Sequence, residues 1–165
     1  MVSTGDYVVI QDADLEYDPQ DIADMLAYAE KHGFDVVYGN RFGKNNKFIY
    51  WQNYYGNKFL SFVANLFTYW RIRVYIPDTE VCYKFVRGDV MRELGSKLQS
   101  TSSFGFEQEI TAKLSKYMLN GRRLKFGIYP ISYYPRTIAD GKKLKAIEDG
   151  LKALKEILYY NLFAD

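Results

Sequence analysis

The chain has 165 residues, 48% of them hydrophobic and 18% aromatic, and a net charge of +2. That length and apolar content suit one domain with its own core, the near-neutral charge excludes a generally basic nucleic-acid binder, and a single cysteine, Cys82, excludes an internal disulfide framework. No signal peptide opens the sequence and no run of about 18 apolar residues could span a bilayer, so the expectation is a cytoplasmic protein, soluble or peripheral at the membrane face.

In chain order, Tyr7-Val8-Val9-Ile10 reads as a buried strand of a mostly parallel sheet, since alternation is lost where both faces are covered. The run breaks into Gln11-Asp12-Ala13-Asp14-Leu15-Glu16, placing carboxylates at the strand's carboxyl end, where open α/β sheets hold ligands. Such a pattern often serves only as a turn or a helix cap. Here Asp18, Pro19 and Asp21 already supply the N-cap, the first helical position and a first-turn acid, leaving Asp12 and Asp14 without a local task. Their hard oxygens suit Mg2+ or Mn2+, which keeps several waters and fills its other positions with substrate phosphate.

Ile22, Met25, Leu26 and Ala29 predict a helix closed at Gly33, and Asp35-Val36-Val37-Tyr38-Gly39 a second strand. Strand, helix and strand make a βαβ unit, for which parallel pairing with a right-handed crossover is the default. The basic loop after it, residues 40–47, offers Arg41 as a bidentate phosphate grip, with a solvated loop arginine as the alternative. Residues 50–75 are the most aromatic part. Phe59, Phe62, Val63, Leu66, Phe67 and Trp70 form a helical stripe read first as core, with an interfacial helix flanked by Lys58, Arg71 and Arg73 as the alternative.

Residues 77–86 pass from an acidic turn into an alternating strand, and Val90, Met91 and Leu94 return to helical spacing. A further helix is expected through Leu119, closed by Asn120-Gly121. Its first turn carries Glu107 and Glu109, which the helix dipole favours; two residues apart, they do not share a face. Lys125 to Tyr134 reads as a strand running into a basic loop. From Lys142 onward, Leu144, Ile147, Leu151, Leu154 and Leu158 form a seam that docks on the body, on a second subunit in a homo-oligomer, or at a membrane surface. The expected organisation is therefore residues 1–141 as one body and 142–165 as an amphipathic helix.

Five blocks then fall in one order: Val8-Val9-Ile10-Gln11-Asp12-Ala13-Asp14-Leu15-Glu16-Tyr17-Asp18-Pro19; Asp35-Val36-Val37-Tyr38-Gly39-Asn40-Arg41-Phe42; Asp78-Thr79-Glu80-Val81-Cys82-Tyr83-Lys84; Gly105-Phe106-Glu107-Gln108-Glu109-Ile110-Thr111-Ala112-Lys113-Leu114; and Tyr133-Tyr134-Pro135-Arg136-Thr137-Ile138-Ala139-Asp140-Gly141-Lys142-Lys143. Together they resemble a family 2 glycosyltransferase of the GT-A fold, most similar to the dolichol- or polyprenyl-phosphate sugar transferases. The resemblance implies an α/β fold, a partial GT-A (Rossmann-like) mixed sheet flanked by helices, lacking the N-terminal nucleotide-binding βαβ units. By matching positions, Asp12 and Asp14 resemble the metal and donor-diphosphate carboxylates, with Glu16 as third ligand where this branch often has Gln. Arg41 and Arg136 resemble phosphate-gripping arginines supported by Lys142 and Lys143. Asp78 resembles an active-site acid, and Glu107 stands where many members place the general base, with Glu109 its competitor.

The implied reaction moves a sugar, with inversion, from a nucleotide-sugar donor to a polyprenyl-phosphate-like acceptor. Transfer to a saccharide or cell-surface polymer is the enzymatic alternative. A third reading is a non-catalytic fragment with half the nucleotide pocket outside the sequence. A hydroxyl acceptor needs a carboxylate base. A lipid phosphate, with a second pKa near 6 by analogy with phosphorylated side chains, arrives largely anionic and needs positioning and charge compensation instead.

Overall fold

The computed structural model describes residues 3–100, 105–137 and 146–164. Strands β1 (Tyr7–Ile10), β2 (Val36–Asn40), β3 (Lys84–Arg87) and β6 (Phe126–Pro130) form a mixed sheet in the order β1-β3-β2-β6. It is flanked by α1 (Gln20–His32), α2 (Trp51–Ile72), α3 (Gly88–Gly95), α4 (Gly105–Lys116) and α5 (Ala146–Leu162). A two-stranded ribbon, β4 (Met118–Leu119) with β5 (Arg122–Arg123), sits apart.

The βαβ expectation needs correction. β1 and β2 do run parallel, but β3 lies between them and pairs antiparallel with both; the one parallel pair is β2 with β6. Nor is β3 alternating: Lys84, Phe85 and Val86 are all buried, because both its neighbours and both its faces are covered. The register sets the geometry of the site. Ile10 and Tyr38 both stand opposite Lys84, and Asn40 stands opposite Pro130. The exits of β1, β2 and β6 and the entry of β3 therefore share one edge.

α1 starts as predicted, with the Gln20 N–H donating to the Asp18 carboxylate (2.9 Å). It ends at Gly33 in the left-handed region (φ 64°), where the Gly33 and Phe34 N–H groups close back on Glu30 and Ala29. α4 stops at Lys116, short of the expected Leu119. Asn120 and Gly121 both take positive φ (48° and 82°), the pairing that turns a two-residue hairpin, so they join β4 to β5 instead of capping a helix.

The main core gathers Met25 and Ala29 from α1, Val90, Met91 and Leu94 from α3, and Ile110 and Leu114 from α4 around the sheet. Each of these Val, Leu, Ile and Met side chains contributes about 1.5–3 kcal/mol on burial. α5 docks on the body. Its Ala153 and Ile157 pack on Leu60 and Ala64 of α2 in a second cluster, and Arg71 of α2 donates to Asn161 of α5 (3.0 Å).

α2 is turned the opposite way from the core reading. Ser61, Asn65 and Thr68 are buried, while Phe59, Phe62, Leu66 and Trp70 are more than half exposed; of the predicted stripe only Val63 and Phe67 are partly covered. The inward polar face has a task. Asn65 donates to the Ile76 carbonyl (2.8 Å) and accepts from the Ile76 N–H (2.9 Å), and Ser61 accepts from the Thr79 N–H (2.9 Å). These bonds satisfy the irregular backbone leading into β3.

Candidate active site

The edge defined by the strand register is built from four segments. The 11–17 loop is tied to the segment after β6 by a Tyr17–Tyr133 bridge and by the Tyr134 N–H donating to the Glu16 carbonyl (2.8 Å). Asn46 fastens the loop after β2 to the same place, donating to the Arg41 and Ile131 carbonyls and accepting from the Tyr133 N–H. Asp21, expected only as a first-turn acid, is buried and holds both Lys44 (2.7 Å) and the Ser132 N–H (2.6 Å). Sequence reading missed Asn46 and Asp21, since neither stands at a motif spacing.

Asp12 is exposed, its backbone N–H donating to Cys82 Sγ (2.9 Å). The buried Cys82 thiol is pushed up to about 12 by burial and by the nearby Asp12 charge, so it stays protonated and unreactive. Asp14 receives Arg136 Nη2 on one oxygen (2.9 Å) and the Glu16 N–H on the other (3.2 Å). Glu16 is buried. Its carboxylate accepts from the Arg136 N–H (2.9 Å) and the Tyr133 hydroxyl (3.2 Å), with Arg136 Nε 3.6 Å away. Arg136 is thus held by two carboxylates while its side chain remains 41% exposed. Lys142 and Lys143, read as its supports, lie outside the described residues.

Arg41 lies the other way, inward. Its Nε and Nη2 each meet an oxygen of Asp78 at 2.7 Å, and its guanidinium rests 5.3 Å from the Tyr133 ring. Asp78 is completely buried and Arg41 7% exposed. Burial alone would lower the proton affinity of the guanidinium, but the Asp78 charge outweighs it and holds Arg41 well above its ordinary value, firmly cationic. Both ends of this bidentate pair are already engaged with each other.

Beyond them lies a second charged group. Lys84, fully buried, meets Glu107 and the Val81 carbonyl, and Gln108 donates to Glu80. Burial raises the proton affinity of Glu80 and lowers that of Lys84, each effect opposed by the other's charge. Glu109 points elsewhere, as helical spacing requires: it accepts the N–H groups of Gln99 and Ser100 and pairs with Lys113 (3.0 Å). Sequence reading missed Glu80 and Lys84. Both stand in a quoted block, but a lysine inside a strand carries no local sign that it will be buried beside a helix start.

Among the described residues no three His, Cys, Asp or Glu side chains converge as a metal cluster. The loop presents two hard-oxygen carboxylates, the exposed Asp12 and the partly buried Asp14, with Glu16 turned inward. Two carboxylates suit a divalent cation that keeps waters and takes phosphate oxygens.

A mixed, helix-flanked α/β sheet with acids and a paired arginine at one strand edge is consistent with part of a GT-A domain. The family model for glycosyl transferase family 2 matches residues 1–91, more than half of the chain. The chain belongs to that family, a glycosyltransferase class that moves sugar from a nucleotide-sugar donor to an acceptor. The matched residues contain β1, the acidic loop, Arg41, Asp78 and the Glu80–Lys84 segment.

Proposed function

We propose that this edge transfers a sugar, with inversion, from a nucleotide-sugar donor to a polyprenyl-phosphate-like acceptor. One observation carries the choice of acceptor. The inward carboxylates of the site have partners: Asp78 holds Arg41, Glu107 meets Lys84, Glu80 accepts from Gln108, and Glu16 holds the Arg136 loop. At the rim, beside the exposed Asp12, the group left open toward an acceptor is a cation, Arg136. That arrangement suits an acceptor that is already anionic.

In this reading Asp12 and Asp14 hold Mg2+ or Mn2+, which would act as a Lewis acid toward the charge developing on the donor's diphosphate. Arg136, oriented by Asp14 and Glu16, binds the acceptor phosphate and offsets its charge. An acceptor phosphate oxygen then forms a bond to the anomeric carbon as the bond from that carbon to the diphosphate oxygen breaks. Glu16 acts as a positioning residue. Arg41 and Asp78 form a buried strut beneath the site and contact neither substrate.

A second reading rests on Glu80. A carboxyl whose proton affinity is raised by burial is matched to general-base work near neutral pH, and such a base would serve a saccharide hydroxyl acceptor.

Calorimetric titration of the chain with UDP and GDP, with and without Mn2+, tests the donor side. Metal-dependent binding lost in Asp14→Asn is expected, and binding indifferent to both would remove the metal assignment. With the preferred nucleotide sugar in hand, label transferred to a short-chain polyprenyl phosphate supports the first reading. Transfer to a saccharide that falls in Glu80→Gln supports the second.

A further inference from the structure

We propose that the outer face of α2 docks flat on an anionic lipid bilayer surface. Trp51, Tyr55, Phe59, Phe62, Leu66 and Trp70 are spaced four, four, three, four and four apart, so they fall on one side of the helix. All six are more than half exposed. At 1.5 Å per residue the row is about 30 Å long, far beyond the scattered apolar residues that ordinary surfaces carry. No neighbouring element among the described residues covers them, because α5 and the polar clamp to residues 76–79 occupy the other sides of the helix.

Charge selects the occupant. Residues 41–77 contain six basic side chains and no Asp or Glu. Arg41 is spent on Asp78, Arg71 on Asn161 and Lys44 on Asp21. Lys47, Lys58 and Arg73 remain exposed, with no acidic partner among the described residues. Two of them flank the aromatic row: Lys58 stands 4.8 Å from the Tyr54 ring and Arg73 lies 5.6 Å from the Trp70 ring. Aromatic rings with a polar edge, bordered by cations and free of carboxylates, match the interface of a bilayer rich in anionic headgroups. Each exposed Lys or Arg near such a surface favours binding by about 1 kcal/mol. The 22-residue helix would lie in the interface and not cross it, since no helix among the described residues is long and apolar enough to span.

The inward face of the same helix clamps the segment that carries Asp78 and Glu80, so the sheet edge would be held at a fixed height above the lipid. This inference does not depend on the acceptor.

Trp51 and Trp70 are the chain's only tryptophans and both lie on this face, so its own fluorescence reports the contact. With vesicles of mixed phosphatidylcholine and phosphatidylglycerol, emission should shift to shorter wavelength and the protein should float with the lipid. Raising salt or removing phosphatidylglycerol should weaken binding at least tenfold. The triple variant Phe59→Ser/Phe62→Ser/Leu66→Ser, which keeps both tryptophans and alters only exposed positions, should bind at least tenfold more weakly. If that variant loses its helical circular dichroism, quenching of the unsubstituted protein by bromolipids decides instead. Equal binding to uncharged vesicles would overturn the proposal. So would no shift in any vesicle, or a lipid-free, concentration-dependent shift that marks the face as a contact between two copies.

Discussion

Arg41 and Arg136 leave the sheet at the same edge and, in the sequence, invite the same role. Arg41 turns into the protein, where completely buried Asp78 accepts from its Nε and Nη2. Arg136 turns along the rim, where Asp14 and Glu16 steady it without covering it. The lesson is that a bidentate grip can be spent inside the fold or offered outside, and the partner's burial decides which. A buried pair is a liability if broken, because removing one member strands a charge in a poor solvent. A rim pair contributes little to stability and so can be devoted to ligand.

The largest effect should come from breaking the buried pair. Asp78→Ala is expected to lower unfolding stability by about 3–5 kcal/mol, read by urea denaturation; a loss below about 1 kcal/mol would place Arg41 outside the strut role. An intermediate case lies at the far end of β2. Buried Asp35 accepts two bonds from Arg122 (2.6 and 2.8 Å) and one from the Lys125 N–H (2.7 Å). Asp35→Asn should cost about 1–3 kcal/mol near neutral pH.

That cost should depend on pH with a fixed sign. Burial alone would raise Asp35, but Arg122 and the Lys125 N–H overcome it and hold the carboxyl below its ordinary value. The folded protein therefore binds this proton less readily than the unfolded chain. The stabilisation is complete above the unfolded value, about 3.9, and is lost as pH falls through the lowered folded value. Denaturation curves of Asp35→Asn and the unsubstituted chain should converge on acidification; a gap that widens would reverse the assignment.

The smallest stability effect belongs to the rim. Arg136→Ala should change unfolding stability by less than about 1 kcal/mol while weakening use of a phosphate acceptor at least tenfold. A fall in stability matching that of Asp78→Ala would erase the distinction between the two arginines.

Much of this edge was legible beforehand. The apolar run ending at Asp12, the Asp18-Pro19 start and Gly33 stop of α1, and the divergence of Glu107 from Glu109 all follow from local periodicity and capping. Pairing partners do not. Nothing in residues 7–10 or 36–40 announces that Lys84–Arg87 will lie between them, because insertion of a strand is decided by the whole sheet. Arg41 and Asp78 are 37 residues apart, with no spacing that links them. For α2 the core reading, and not the interfacial alternative, fails, and for a plainer reason. A stripe of apolar residues says that a helix has two faces, but which faces inward was decided by Ser61 and Asn65 bonding to the backbone at 76–79. Asn120-Gly121 suits a helix stop and a hairpin turn equally, and local sequence does not choose between them.

The central claim is that Arg136, and not Arg41, meets the acceptor. Its most direct test is calorimetric titration of a short-chain polyprenyl phosphate into the unsubstituted chain, Arg136→Ala and Arg41→Lys, each first checked for folding. The account predicts binding at least tenfold weaker in Arg136→Ala and little altered in any folded Arg41→Lys protein. Undiminished binding in Arg136→Ala, with binding lost in a folded Arg41→Lys, would contradict it.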